Sequence, residues 1–469
     1  MSPPLDAVRD ALAGVPAWLV GGAVRDRLLD RPTDDLDIVL DGDPEVAARA
    51  VRRAAGGAAF PLSETFGAWR VVGRDHAWQL DLVPLLNGNL AEDLAARDFT
   101  INAMAEPLGG GGLVDPHGGA ADLEARRLRA VGPRSFAADP LRSLRAVRLA
   151  SELDLEIEPS TALEAAKQAA GLERVAAERV FSELKRIVVA PDPRAGLERM
   201  GRFGITAVVL PELDALRGVE QSVYHHRDVY DHTLEVLDAT VLLARDPVRA
   251  GLPLHGPPLA ALLAEPLADG LTRGEAMRFA ALLHDVAKPQ TRRERADGRG
   301  AGFPGHHEVG AVIARALLRR LRAAERLNDY VAALTLHHLH LGFLVRERPL
   351  GARTVHRYLT ATAPFTADIT AFTVADRLAT RGRNSAAAIA AHTETADEML
   401  GFAFAERAAG PRTPLVRGDE LAAELGMAPG PRLGELLAQL EEDRFAGDVR
   451  TRGDAIARAR ELLSQERFG

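Results

Sequence analysis

Apolar residues recur with two different periods along this chain, and the change from one to the other divides it. In the first third, short apolar runs alternate with polar turns. AWLV (17–20), DIVL (37–40), WRVVG (69–73) and WQLDLVPLL (78–86) read as strands, and Glu45 to Ala55 reads as an amphipathic helix. From Phe136 onward such runs become rare and Ala, Leu, Arg and Glu repeat at helical spacing, which predicts a mostly helical remainder. Breaks fall near Pro133, at Pro211 to Gly218, in the Pro/Gly-rich stretch Gly251 to Gly270 and at Gly410-Pro411. The pattern predicts a multidomain α/β + α protein, with a small α/β head on a mixed sheet (1–132), then a helical neck (133–215), a helical body (216–405) and a helical tail (406–469).

The densest chemistry lies in WLVGGAVRDRLLDRPTDDLDIVL, residues 18–40: a strand, a Gly-Gly turn, a short helix, then a second strand carrying Asp35 and Asp37. Strand side chains alternate faces, so the two carboxylates point one way while Leu36, Ile38 and Leu40 turn to the core. Like charges held close repel, and a divalent cation relieves the repulsion; hard oxygen ligands with room for phosphates favour Mg²⁺. The bland alternative is a solvated strand face. Gly21 and Gly22 permit close backbone approach, the N–H groups opening the helix suit a triphosphate, and Arg25 adds positive charge. Asp81 alternates with Leu80 and Leu82, so it reads as a third carboxylate of the same face or as an ordinary edge aspartate. Arg142, Arg145 and Arg148 stand three apart on one helix, with Leu141, Leu144 and Val147 as its buried stripe. Such a row of guanidiniums suits a nucleotide; Asp139-Pro140 before it is also a plain helix start.

Composition narrows the options. With 469 residues, 47% of them hydrophobic and 26% charged, the chain can bury several cores. It has no long uncharged apolar run and no signal-like N-terminus, so it reads as soluble and unexported. The absence of cysteine excludes disulfides, thiolate catalysis and cysteine-bound zinc, leaves His, Asp and Glu as metal ligands, and fits a cytoplasmic protein. A net charge of −8 requires that any phosphate-binding surface be a local cluster of arginine, since lysine occurs only at 167, 185 and 288.

GGAVRDRLL followed by DLDIVL resembles the first motif of the class II nucleotidyltransferases, the family of CCA-adding enzymes and bacterial poly(A) polymerases. ARDFTINAMA (96–105) is similar to its second motif, with Ala96 where an arginine is usual. The resemblance implies that Arg97 contacts the triphosphate together with Gly22 and Arg25, and that Asp98 and Asn102 belong to the nucleotide site. AADPLRSLRAVRLA resembles the neck motif whose Asp and Arg pair with the incoming base. That role falls on Asp139 and Arg142, although Ala138 and Leu149 depart from the pattern. AAERVFSELKRIV resembles the last neck motif, in which Glu178, Arg179 and Glu183 buttress the neck by ion pairing.

Beyond residue 225, His232, His284-Asp285, His307, His337 and Asp376 recur on predicted helices and, with Lys288 and ATRGR (379–383), resemble the HD superfamily of metal-dependent phosphohydrolases. There a His, a His-Asp pair and a distal Asp hold a divalent metal such as Mn, Ni, Co or Fe. The tail is similar to that of many CCA-adding enzymes and reads as an RNA contact, or equally as a helical dimer contact. The resemblance implies a template-independent, Mg²⁺-dependent enzyme that extends the 3′ end of tRNA from CTP and ATP, with Asp35, Asp37 and Asp81 at the catalytic centre. Close rivals are poly(A), CC-only or A-only addition. Outside that class stand an HD phosphohydrolase with a nucleotide-binding head and a noncatalytic RNA-binding protein. Oligomeric state is not legible.

Overall fold

The structure is a computed structural model describing residues 5–63, 67–221, 227–294, 301–380, 385–410 and 412–466. It separates into two compact units, Met1–Leu210 and Pro211–Gly469.

The first unit is built on a six-stranded sheet of order β3-β4-β5-β2-β1-β6: β1 (Ala17–Val20), β2 (Asp35–Leu40), β3 (Ala58–Ser63), β4 (Ala68–Val72), β5 (Gln79–Pro84) and β6 (Ala105–Pro107). β2 and β5 run parallel and the other pairings are antiparallel, so the sheet is mixed as the pattern predicts. The strands at 17–20, 35–40, 68–72 and 79–84 match predicted ones to within a few residues. β3 and β6 were not foreseen. β3 is an edge strand interrupted by Pro61 and largely exposed, so it lacks clean alternation, and β6 has only three residues.

One face of the sheet is the core. Leu36, Ile38, Val71, Leu80 and Leu82 are fully buried there against Ala47, Ala48 and Val51 of the helix Pro44–Ala55. Asp43 caps that helix through the N–H groups of Glu45 and Val46, which fixes where its apolar stripe begins. The opposite face is covered at one end only, where Leu85, Leu94 and Ala105 close over Val20 and Val39. The other end, with Asp35 and Asp37, stays open. A further cluster joins Phe99, Ile101 and Leu128 to Phe136, Ala146 and Leu149. The helix Leu141–Leu153 is thereby seated on the segment that follows the sheet, and Leu141, Leu144 and Val147 are buried as its periodicity predicts.

Among the described residues the second unit is helical apart from four strands of two or three residues. Its core surrounds the helices Val229–Arg245, Arg273–Leu283, Glu325–His337 and Thr366–Ala379. A buried ion pair between Arg273 and Asp368 is completed by the Tyr330 hydroxyl, which donates to Asp368 at 2.9 Å. That third contact matters because a buried pair is tolerated only when its remaining polar valences are met. A separate apolar cluster, including Leu421, Leu440 and Ala459, holds the last three helices together. No helix among the described residues is long and apolar enough to cross a membrane.

Candidate active site and second metal centre

Strand register assembles the first site. Asp37 lies directly opposite Asp81 and Asp35 opposite Gln79 across the parallel pair β2–β5, so the three carboxylates share the open face. Asp81 is therefore not a stray edge residue. Arg70, opposite it on β4, holds it with two hydrogen bonds of 2.6 Å. Arg70 escaped the sequence reading, although its alternation with Trp69 and Val71 was an available signal.

The carboxylates differ in their surroundings. Burial, and then the charge of Asp35, push the Asp37 carboxyl up to about 6, with Arg97 pulling the other way. Asp35 is also raised, chiefly by burial. Two carboxylates kept in an unfavourable state on a shared face, Asp35 exposed and Asp37 half-buried, form a hard-oxygen donor set that a divalent cation would satisfy. Gly21 suits this position on two counts. Its φ of +71° is left-handed, and a Cβ would come 2.9 Å from the Arg97 guanidinium and 3.4 Å from Asp37 Oδ2.

Behind this face runs a chain of charged side chains that occupies much of the predicted nucleotide set. Arg25 is buried and spends its guanidinium on Asp26 (2.9 Å twice) and on Asn102 Oδ1 (2.7 Å). Asn102 donates to Asp98 at 3.0 Å, and Asp98 also accepts from the Phe99 N–H and from Arg145 at 3.2 Å. Burial works against the Asp98 charge, yet Arg145 and these hydrogen bonds outweigh it and hold the carboxyl below its usual range. Arg145 and Arg148 both donate to Glu183, and Arg148 continues to Glu152. Arg142 turns back and donates to the Ala96 and Arg97 carbonyls at 2.8 and 3.1 Å and to Ser135 Oγ at 2.9 Å. The three arginines thus do not form a free row. Arg142 props the Arg97 segment, and the other two tie the neck helix to Glu183. Asp139 accepts the Leu141 N–H at 3.2 Å on one oxygen and Arg179 at 2.7 Å on the other, so the helix-cap geometry is present. Arg97 pairs with Asp93 at 3.1–3.2 Å while its other terminal nitrogen lies toward Gly21.

A second centre lies inside the helical unit. Two groups have ligand atoms mutually within 4.8 Å: His232, His284 and Asp376, and Asp285, His306 and His338. His232 Nε2 lies 3.1 Å from Asp376, and His284 Nε2 lies 3.1 Å from Asp285. Asp285 is 3.4 Å from His306, and His306 and His338 are 3.3 Å apart through their Nε2 atoms. The rings of His284, His306 and His338 each place Nδ1 2.6–2.9 Å from a carbonyl three residues earlier. That contact requires the proton on Nδ1 and leaves Nε2 as a lone-pair donor facing inward. His284 Nε2 is buried with no partner beyond its 3.1 Å contact with Asp285, a valence that a metal ion shared by the two would satisfy. Lys288, 2.6 Å from Asp285, and the imidazoles overcome burial and keep Asp285 strongly ionised. Burial and His284 push His338 down to about 3, so it stays neutral. The donor set fits a divalent metal, with N and O ligands only.

Two predicted ligands are corrected. His307 and His337 are not in either group: His307 sits beside Glu308, and His337 stacks on His340. Their neighbours His306 and His338 face the centre instead, because adjacent residues on a helix point about 100° apart and packing selects one. The ATRGR reading falls largely on residues 381–383, outside the described residues.

A carboxylate-bearing mixed sheet followed by a helical neck and a histidine-aspartate helical centre defines a nucleotidyltransferase joined to an HD domain. The chain matches the Poly A polymerase head domain over 17–84 and 75–129, the probable RNA and SrmB-binding site of polymerase A over 154–217, and the HD domain over 229–381. It is 38% identical to the A-adding tRNA nucleotidyltransferase of Deinococcus radiodurans, covering 94% of each chain. It is 35% identical to the CC-adding tRNA nucleotidyltransferase of Thermus thermophilus, covering 94% of this chain and 92% of that one. A solved CCA-adding enzyme in its apo form superimposes with a TM-score of 0.64 at 20% identity, over 98% of this chain and 93% of that one. The chain belongs to the tRNA nucleotidyltransferase family, and it is a nucleotidyltransferase of that family that carries an HD domain.

Proposed function

We propose that this enzyme adds nucleotides to the 3′ end of tRNA, building CCA from CTP and ATP without a nucleic-acid template. The observation that carries the reading is the in-register set Asp35, Asp37 and Asp81 on one sheet face, beside Arg97 and the left-handed Gly21. Asp35 and Asp37 would hold Mg²⁺, which when bound would supply charge neutralisation at the α-phosphate and a lowered pKa for the attacking 3′-hydroxyl. Asp81, fixed by Arg70, completes the carboxylate face and orients that hydroxyl. Gly22 and Arg97 take the triphosphate, and Arg25, whose guanidinium is engaged by Asp26 and Asn102, adds its charge from behind. Asp139 and Arg142 are assigned to the base edge, where a carboxylate accepts from an exocyclic amine and a guanidinium donates to ring nitrogen or carbonyl oxygen; binding there requires the nucleotide to replace the Arg179 contact of Asp139 and the Ala96, Arg97 and Ser135 contacts of Arg142. Arg145, Arg148, Asp98 and Asn102 brace that geometry.

The division into head (1–132), neck (133–215), HD body (216–405) and tail (406–469) belongs to the same proposal, with the tail as a tRNA contact. A cytoplasmic setting follows from a tRNA substrate and a cysteine-free chain. In the HD body, His232, His284, Asp285 and Asp376, joined by His306 and His338, would hold Mn, Ni, Co or Fe, which would supply the chemistry of phosphoester hydrolysis. Labelled-nucleotide incorporation on tRNAs ending in the discriminator base, C or CC tests the reading. Incorporation of C on the first two and A on the third is expected, and no incorporation on any of them overturns it. A second reading, addition of A alone, is favoured by the 38% identity to the Deinococcus radiodurans enzyme; it predicts incorporation only on the CC end.

A further inference from the structure

The open face continues past the carboxylates to the edge of the sheet. The register runs Asp37 opposite Asp81, Asp81 opposite Arg70 and Arg70 opposite Phe60, so these four side chains stand in one row across β2, β5, β4 and β3. Ala59, the neighbour of Phe60, packs with the core on the other face, which confirms the facing. Phe60 is nonetheless 42% exposed, and Leu62 beside it on the same strand is equally exposed. Three strand spacings put Phe60 about 14 Å from Asp37, within reach of the last few nucleotides of a strand whose terminal hydroxyl lies at the carboxylates.

The ground around Phe60 is basic. It shares a cavity of about 620 Å³ with Arg52, Arg53, Arg74 and His76. The three arginines are exposed and make no ion pair among the described residues. The dipole at the end of the helix Pro44–Ala55 accounts for Arg52 and Arg53 and reaches Arg74, whose guanidinium lies beside the C-cap Gly56, but it does not account for an aromatic ring left in solvent. In a chain of net charge −8, this is the local positive cluster that RNA phosphates require. An aromatic ring flanked by unpaired arginines is how single-stranded nucleic acid is held without reading its sequence.

We infer that Phe60, with Arg52, Arg53 and Arg74, forms a docking platform for the single-stranded 3′ end of the acceptor RNA, one base stacking on the ring while the arginines meet the backbone. This rests on the proposed RNA-extending activity and adds to it the place where the RNA end is held.

Steady-state kinetics of the full-length enzyme test it, with tRNA lacking its 3′ nucleotides as substrate. Phe60→Ala is expected to raise KM for the RNA roughly five- to a hundredfold, the range for losing one base–aromatic stack. The maximal rate and KM for CTP and ATP should be unchanged. Phe60→Trp should restore the RNA KM and lose fluorescence on binding RNA. Changing Arg52, Arg53 and Arg74 together to Gln should flatten the dependence of RNA affinity on salt by about 0.7 per lost contact. An unchanged RNA KM in Phe60→Ala overturns the platform, as does a rise in nucleotide KM instead, which would seat the incoming base on Phe60. A dimer that Phe60→Ala dissociates, with RNA KM unmoved, would assign the edge to a second copy of the chain. If the parent enzyme extends no tRNA, the proposed function fails; if it does and the variants match it, only the platform fails.

Discussion

The two centres of this molecule use the same ligand types in opposite ways. At the head, carboxylates lie on the open end of a sheet face and are held where their charge is unfavourable, so burial lifts Asp37 to about 6. In the HD body, the carboxylates are enclosed by imidazoles and Lys288, which outweigh a stronger desolvation and keep Asp285 and Asp376 ionised well below their ordinary range. An open site whose charge is left uncompensated can take a cation together with an exchanging, phosphate-bearing substrate. A closed site with a balanced ligand shell retains its metal. Exposure and local compensation therefore distinguish the two centres.

The sharpest way to break the comparison is to remove one carboxylate from each centre. Asp37→Ala should abolish nucleotide incorporation, a loss on the order of a thousandfold or more, because charge neutralisation at phosphorus is commonly the largest catalytic contribution. Metal bound at the HD centre, measured by elemental analysis, should be untouched. Near-normal incorporation would remove Asp37 from the catalytic centre.

The reciprocal change is His284→Ala or Asp285→Ala. It should remove Mn²⁺- or Ni²⁺-stimulated phosphatase or cyclic phosphodiesterase activity and deplete the HD metal, while nucleotide incorporation persists. If incorporation fell in a folded variant, the HD body would have a part in transfer. A parent protein without hydrolysis across metals and nucleotides would make the HD metal structural.

A smaller effect is expected at Asp139, where cap and base-reading roles meet. Asp139→Ala should raise misincorporation of UTP and GTP roughly tenfold to a hundredfold, the equivalent of about 1–3 kcal/mol for one bidentate contact, with little change in triphosphate affinity. The Leu141 cap and the Arg179 pair predict instead a stability loss of about 1 kcal/mol with unaltered selectivity. Melting temperature and four single-nucleotide rates on the one variant decide between them.

The smallest effect is a pH dependence, and it sharpens the contrast most directly. In metal-free protein, folded Asp37 keeps its proton up to about pH 6, whereas the unfolded chain releases it near 4. Through that window the folded state binds more protons, so stability falls as pH rises, and Asp37→Asn should remove this part of the slope. With Mg²⁺ present the proton competes with the ion, so transfer should decline as pH drops below about 6. At the HD centre Asp285 and Asp376 stay ionised there and His338 stays neutral, but His284, whose pKa is raised by Asp285 against burial, takes up a proton, so metal loss should follow imidazole rather than carboxylate protonation. Metal loss that followed carboxylate protonation at both centres would erase the distinction.

What the sequence determined by itself are the features governed by neighbours along the chain. Alternation put Asp35 and Asp37 on one face with Leu36 and Ile38 on the other, and helical period buried Leu141, Leu144 and Val147. Motif order was enough for the family. Only the tertiary structure decided the partners. Glu183 captures Arg145 and Arg148 from a helix 35 or more residues away, and Arg70 reaches Asp81 through strand register. His306 and His338 face the HD centre in place of His307 and His337. β3 was invisible because an exposed edge strand needs no apolar alternation, and its Phe60 acquires meaning only from the row that ends at Asp37. A local period says which way a side chain points. Which side chain meets it is a long-range contact, set by how elements pack, and in this molecule those contacts decide which polar residues are spent on the fold and which are left for the substrate.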